Sequence, residues 1–265
     1  MKLTPYVLTT ARNLPFLQTD IALPEPIDIF DVGDPYNRDF CQLINLSNQD
    51  AFGGAGDMGM PLWVMLDCAI LPSAMVGFYV HSDDLNDEQR RRLHALDYEG
   101  PVPVSEYSAS PSIEPNTVCG FSLQSQMPGL NLGVRTKALA LAVFGAKQQI
   151  GVTQFTNPAI RVHTKLGNLE LTMHKPIVHT HSDNSFVYAL NVPDHSALID
   201  IATGQQTQVS APVPNGDTLY FDPSNKAHHD QVAAALAADH KVTIVQPGFE
   251  VVNGSPRLSM VLTES

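Results

Sequence analysis

The sequence predicts a mixed α/β (α+β) fold, a central sheet flanked by helices with an added C-terminal lobe, and three observations carry the prediction. Of the 265 residues, 43% are hydrophobic and 16% charged, the balance of a chain that folds around a core. From residue 27 to 192, strand-like runs interleave with helix-like runs. From Pro193 onward, Pro, Gly and Thr punctuate short strands around one helix, which marks 193–265 as a lobe or extension. Residues 1–26, rich in Pro and polar residues and without a sustained period, read as an N-terminal arm or edge strand.

Taken in order, Ile27 to Val32 alternates apolar and acidic residues as a half-buried strand does. A helix follows from Tyr36 to Phe52, with Phe40, Leu43 and Ile44 on one face, and ends in the glycines after Phe52. The apolar runs Leu62 to Ile70 and Met75 to His81 read as a hairpin. Residues 83–96 form a charged helix capped by Ser82 or Asp83. Strands are expected at Val102 to Ser108 and Thr117 to Gln124, and a helix rich in Ala and Leu at Val134 to Ala146. Next come a strand from Gln149 to Phe155, a short helix opened by Asn157 and Pro158 and ending near Gly167, and a hairpin of 169–173 with 185–192. In the lobe a helix is expected from Lys226 to Ala238, and strands at Lys241 to Gln246 and Arg257 to Thr263.

Composition excludes several classes. No repeat period points to a solenoid. The N-terminus lacks the continuous apolar stretch of a signal peptide and no apolar run would span a bilayer, so a cytoplasmic location without membrane attachment is expected. Cys41, Cys68 and Cys119 are odd in number and widely spaced, which speaks against a disulfide framework or a cysteine-rich zinc site, and they read as buried thiols. The net charge of −12 disfavours nucleic acid as a partner.

Charge distribution says more than the sum. Between Pro115 and Leu169 there is no Asp or Glu, while Arg135, Lys137, Lys147, Arg161 and Lys165 all fall there. Such an island can attract a small polyanion or be no more than a solvated helix face. Within it, a loop bearing Gly129 and Gly133 runs into a helix start, where backbone N–H groups and the helix dipole favour an anion. Arg135 and Lys137 lie in the first turn, where cations oppose the dipole unless an anion lies between.

Two segments carry a family resemblance. Gln126-Met-Pro-Gly129-Leu-Asn131 follows the pattern Q/R-x-x-G-x-G/A, with Asn131 in place of the last small residue. Asn157-Pro-Ala159-Ile-Arg-Val-His163-Thr-Lys165-Leu-Gly167-Asn168 follows N-x-A-x-x-x-Y-x-K-x-G-F, with His163 for Tyr and Asn168 for Phe. In these motifs and their spacing the chain resembles the GNAT superfamily of N-acyltransferases. The resemblance spans about 27–192, is concentrated in 117–168, and leaves the helix at 83–96 as an insertion. A second register, with the phosphate loop at Asn131-Leu-Gly133-Val-Arg135, stays open.

The resemblance implies a strongly twisted sheet that binds acetyl-CoA or another acyl-CoA. Phe121, Ser122 and Leu123 would pair with the pantetheine arm, and a backbone N–H there would face the thioester carbonyl. Gln126, Gly129, Leu130, Asn131, Leu132, Gly133, Val134, Arg135, Thr136 and Lys137 would surround the pyrophosphate, with Asn157 and Ala159 contributing from the later helix. His163, at the family's tyrosine position, would protonate the departing thiolate, and a small-molecule or side-chain amine would be the acceptor. For the base, Glu106 on its strand and Asp67 in an apolar run are the candidates, since burial raises a carboxyl's pKa.

Readings from other classes remain. A chain with this fold and without catalytic power would be an acyl-CoA sensor or scaffold. His179 and His181, at i and i+2 with His174 nearby, resemble the metal pair of cupin barrels, although the glutamate that should follow is missing. His228 and His229, being adjacent, point apart on a helix and are expected at the surface. The C-terminal lobe could close over the acceptor or make a homodimer contact.

Overall fold

A computed structural model describes residues 1–53, 59–176 and 184–264. The architecture is mixed α/β, as expected, and the chain forms two compact units: Met1–Ala146 with Leu198–Gln205, and Lys147–Ala197 with Gln206–Ser265.

The first unit contains β1 (Thr4–Thr9), β2 (Asp28–Asp31), α1 (Arg38–Phe52), α2 (Leu62–Ile70), β3 (Ala74–His81), α3 (Asp87–Arg92), β4 (Pro101–Pro111), β5 (Thr117–Ser125) and α4 (Leu132–Val143). Its strands run in the order β2-β1-β3-β4-β5, with β1 parallel to β2 and the other pairs antiparallel. The residues read as an N-terminal arm therefore supply β1, an interior strand whose Tyr6, Val7 and Leu8 are fully buried. Tyr6, Phe30, Phe40 and Tyr79 form an aromatic cluster with Met65 and Met75, and Phe30 stacks on Phe40 at 4.9 Å between centroids.

One expected hairpin is instead a helix followed by a strand. Residues 62–70 form α2, burying Met65 and Ala69 one helical turn apart and leaving Trp63 and Ile70 exposed. A short apolar run fits either a buried strand or a helix by period alone. The Asn13 amide closes the end of this helix, donating to Ala69 O at 2.9 Å and Leu71 O at 2.7 Å, carbonyls that lack intrahelical partners. The charged helix is shorter than expected and begins at Asn86, which forms a reciprocal capping box with Gln89.

The second unit contains β6 (Gln148–Gln154), α5 (Ile160–Thr164), β7 (Leu169–His174), β8 (Ser185–Asn191), α6 (His195–Thr203, with the first unit from Leu198 on), β9 (Asp217–Phe221), α7 (Lys226–Ala237), β10 (Lys241–Val252) and β11 (Ser255–Thr263). Its strands run β6-β8-β7-β10-β11-β9, all paired antiparallel. The expected β7–β8 hairpin is present. Among the described residues no helix is long and apolar enough to cross a membrane.

Candidate active site

In the first unit, β4 and β5 build a buried polar cluster. Period 2 along each strand puts Glu106 and Ser108 of β4 on the same face as Ser122 and Gln124 of β5, and the register sets Glu106 opposite Gln124 and Ser108 opposite Ser122. Glu106 is 1% exposed. Its carboxylate accepts hydrogen bonds from the Ser108 hydroxyl and, at 3.2 Å, from the Ser122 hydroxyl. The Ser122 hydroxyl in turn accepts from Asn48 Nδ2 of α1 at 3.2 Å, and Asn48 Oδ1 accepts from Met60 N at 2.8 Å.

Burial pushes the Glu106 carboxyl up to about 7, and the two serine bonds pull it only partway back. A carboxyl at that value exchanges its proton near neutral pH, as a general base must. Beside it lies a cavity of about 10 Å³, the room of one water, lined in part by Glu106, Gln124 and Ser47. Gln124 donates to Ile44 O at 3.2 Å, while its buried Oε1 has no hydrogen-bond partner among the described residues. Asp67, the other candidate base, lies exposed on α2, so the helix that replaced the expected strand also turns that carboxylate to water.

Phe121 is the extra residue of a β-bulge. Ser108 pairs with Ser122 and Ala109 with Gly120, so nothing on β4 stands opposite Phe121, and its ring is 53% exposed. A bulge takes the backbone at that point out of the ladder. Ser122 is buried and engaged with Glu106, and Leu123 is half-buried opposite Tyr107.

Beyond β5 the chain turns through Gly129 at φ +85° and Asn131 at φ +53°, both left-handed, into α4. A Cβ on Gly129 would meet nothing within 4 Å, and the Asn131 side chain does not cap the helix. Left-handed residues turn backbone amides into anion-binding concavities, and the first-turn amides of Leu132, Gly133 and Val134 have no intrahelical acceptor. Gln126 Nε2 is engaged with Ser47 O at 3.2 Å, and Leu130 is half-buried in the loop.

The cationic side chains expected around a pyrophosphate point elsewhere. Lys137 is fully buried, and burial holds its ammonium well below the ordinary lysine value. Arg135 donates to Ala202 O at 2.9 Å and lies over the Phe78 ring at 5.1 Å. Thr136, also buried, bonds the Ser105 hydroxyl at 2.7 Å and docks α4 on β4. Lys137 is thus buried away from any anion at the helix start, while Arg135 stays half-exposed. α4 buries ten of its twelve residues, Lys137 among them, and leaves Gly133 and Arg135 half-exposed.

In the second unit, Asn157 Oδ1 accepts from Ala159 N at 2.9 Å and starts α5. His163 on α5 is 7% exposed, with its ring 5.3 Å from that of Tyr188. His229 is buried rather than exposed: it sits against Phe155 and Phe221, 3.0 Å from His174 Nε2 and 2.9 Å from Pro223 O. His179 and His181 lie outside the described residues, among which no group of three or more His, Cys, Asp or Glu could hold a metal ion. Cys41 is buried, and Cys68 and Cys119 are half-buried; all three are free thiols.

Sequence reasoning missed Asn48, Ser108, Gln124 and Tyr6, whose hydroxyl donates to Ser105 O at 3.0 Å beside Glu106. The signal was present for two of them. The alternation Ser105-Glu106-Tyr107-Ser108 against Ser122-Leu123-Gln124 places four polar side chains on one face of a pair of strands.

No protein-family profile matches the sequence, and no curated relative matches it. Among solved structures, the chain is similar to an aminoglycoside 6'-acetyltransferase type Ii, with 15% identity and a TM-score of 0.41, over 62% of this chain and 96% of that one. It is similar to the aminoglycoside 6'-N-acetyltransferase from Enterococcus faecium, with 9% identity and a TM-score of 0.34, over 88% of this chain and 94% of that one. It is also similar to a nourseothricin acetyltransferase, with 14% identity and a TM-score of 0.30, over 45% of this chain and 66% of that one.

Proposed function

We propose that this chain is an N-acyltransferase of the GNAT type, which moves an acyl group, in the first instance acetyl, from an acyl-CoA to a small-molecule or side-chain amine. The observation that carries the reading is Glu106, a buried carboxyl at about 7 on β4, bonded to Ser122 next to the bulge at Phe121. The strand–loop–helix that follows fits a phosphorylated cofactor through its backbone: two left-handed residues, first-turn amides that have no intrahelical acceptor, and no acidic residue from 115 to 169. Bound acyl-CoA supplies an activated thioester. The backbone around Phe121, released from the ladder with β4, offers N–H and C=O groups to an extended ligand arm.

Glu106 takes the proton that the amine loses as it forms the new C–N bond, and a carboxyl near 7 is half ionised at neutral pH for that purpose. Because its side chain is 1% exposed, the proton reaches it through the adjacent water-sized cavity. The proton gained by the departing thiolate is assigned to His163, from its place in the 157–167 motif. An acceptor of positive charge suits a protein of net charge −12.

The test is release of free CoA from acetyl-CoA with a panel of amines. Glu106→Gln should lower turnover by on the order of 10²-fold or more with little change in acetyl-CoA affinity. Wild-type kcat should rise with pH through about 7. Unchanged turnover in Glu106→Gln removes the base, and unchanged turnover in His163→Ala removes the acid. Tight binding with no CoA release from any amine would favour the sensor reading, which the near-complete burial of Glu106 also suits.

A further inference from the structure

The second unit contains a cleft of about 510 Å³ that the proposed acyl transfer does not use. Its floor is one face of the sheet, where the register aligns hydrogen-bonding side chains: Gln148 opposite Asn191, Glu170 opposite Thr243, and Lys241 opposite Thr263. A polar sheet face ordinarily lies open to water. Here the segment 209–215 is tied along it. Val209 N donates to Lys165 O at 2.8 Å, Val209 O accepts from Gln246 Nε2 at 2.9 Å, and Pro212 O accepts from Asn168 Nδ2 at 2.7 Å. Pro212 and Pro214 flank Val213 in the wall, and proline's fixed φ makes this strap stiff, so the cleft exists before any ligand arrives.

Charge and hydrogen bonding restrict the occupant. Lys241 Nζ and Glu170 Oε2 stand 3.6 Å apart, both well exposed, so the cleft holds one cation and one anion and has no net charge of its own. An anionic ligand meets Glu170 and a cationic one meets Lys241. An apolar ligand would leave the amides and hydroxyls of the floor without water or partner, at a cost for each. Asn168, which also lines the cleft, has its amide nitrogen on Pro212, while its buried Oδ1 has no hydrogen-bond partner among the described residues.

A sugar hydroxyl both donates and accepts, which matches a floor of amides and hydroxyls, and Ala189 with the Pro-Val-Pro strap offers apolar surface to the C–H face of a ring. We propose that this cleft binds a neutral saccharide of one or two rings. A volume of about 510 Å³ is in the range of small-ligand sites and admits that size. The binding is independent of acyl transfer and gives the C-terminal segment a ligand of its own.

The test is saturation-transfer NMR with titration of the full chain against glucose, galactose, maltose and lactose, with citrate and spermidine as charged competitors. At least one sugar should bind saturably, unaffected by equimolar citrate or spermidine. Asn191→Leu and Thr172→Val, both on the cleft floor, should each weaken binding tenfold or more at an unchanged melting temperature. Thr172 is exposed, so its variant keeps the test valid if Asn191→Leu fails to fold. No saturable binding of any of the four sugars, undiminished affinity in Thr172→Val, or displacement by either charged competitor would overturn the proposal.

Discussion

Replacing Glu106 with Gln should make the protein more stable at alkaline pH, by an amount that depends on pH in a defined way. The carboxyl stands at about 7, against 4.5 for an ordinary glutamate. The folded chain thus holds this proton more tightly than the unfolded chain, and ionisation opposes folding. Below pH 4.5 both states are protonated and there is no penalty. As pH rises from 4.5 through 7 stability is lost, and above 7 the loss is constant. At about 1.4 kcal/mol per pK unit, the wild-type penalty is about 1 kcal/mol at pH 5 and about 3 kcal/mol at pH 8. Gln carries no such penalty. It does exchange good acceptors for a donor facing Ser108 and Ser122, which costs about 1 kcal/mol at every pH and so cancels in the comparison. The variant-minus-wild-type stability should therefore swing by about 2.5 kcal/mol toward the variant between pH 5 and pH 8. Urea unfolding of both proteins at the two pH values, with m checked for constancy, measures it. A difference that stays the same at both pH values would mean that Glu106 ionises as freely in the fold as out of it, and the argument for a buried base would collapse.

Three further outcomes follow from the same geometry. Gly77 faces Glu106 across β3 and β4, and a Cβ there would sit 2.0 Å from Ser105 O, so Gly77→Ala should cost about 1–3 kcal/mol in thermal unfolding, a loss absent if β3 can shift. Gly129 has open space around it but φ +85°, so Gly129→Val should cost about 1–2 kcal/mol by strain alone and weaken acetyl-CoA binding in calorimetry; normal affinity would remove the loop from the cofactor site. Burial, with the charges of His229 and Lys175 adding to it, holds His174 down to about 4, while Asp230 acts in the opposite sense. Its contribution to stability is complete above pH 6.5 and lost as pH falls toward 4, so His174→Phe should flatten acid unfolding over that window, and an unchanged profile would exclude it.

Much of the fold was legible because its segments obey a single period. β5, α4, β6 and the β7–β8 hairpin announce themselves by alternation or by runs of helix formers. Residues 62–70 did not, since Leu-Trp-Val-Met-Leu is apolar at every position and fits strand and helix alike until tertiary burial selects Met65 and Ala69. β1 was hidden because a strand covered on both faces shows no alternation and Pro5 mimics a loop. The site was half legible. Glu106 could be named from its strand, but Ser108, Ser122 and Asn48 become a cluster only once the β4–β5 register is known. Arg135 and Lys137 were read by charge without their face. A helix reading Leu-Gly-Val-Arg-Thr-Lys-Ala-Leu-Ala-Leu-Ala-Val has almost no polar side to turn outward, and Lys137 is buried in it while Arg135 stays half-exposed.

The bulge at Phe121 also separates two properties of this strand pair that a one-residue change in length would affect differently. Upstream of it, even-numbered residues of β5 oppose odd-numbered residues of β4, Gly120 facing Ala109; downstream, even opposes even, Ser122 facing Ser108. One residue thus switches the parity of the strand pair. Deleting it would leave a smooth ladder with the pairs unchanged: Ser122 would still face Ser108 and Gln124 would still face Glu106, and only the stretch of backbone that the bulge releases would be lost. The carboxyl's partners and the freed backbone are therefore separable: loss of the odd residue would spare the first and close the second into the ladder.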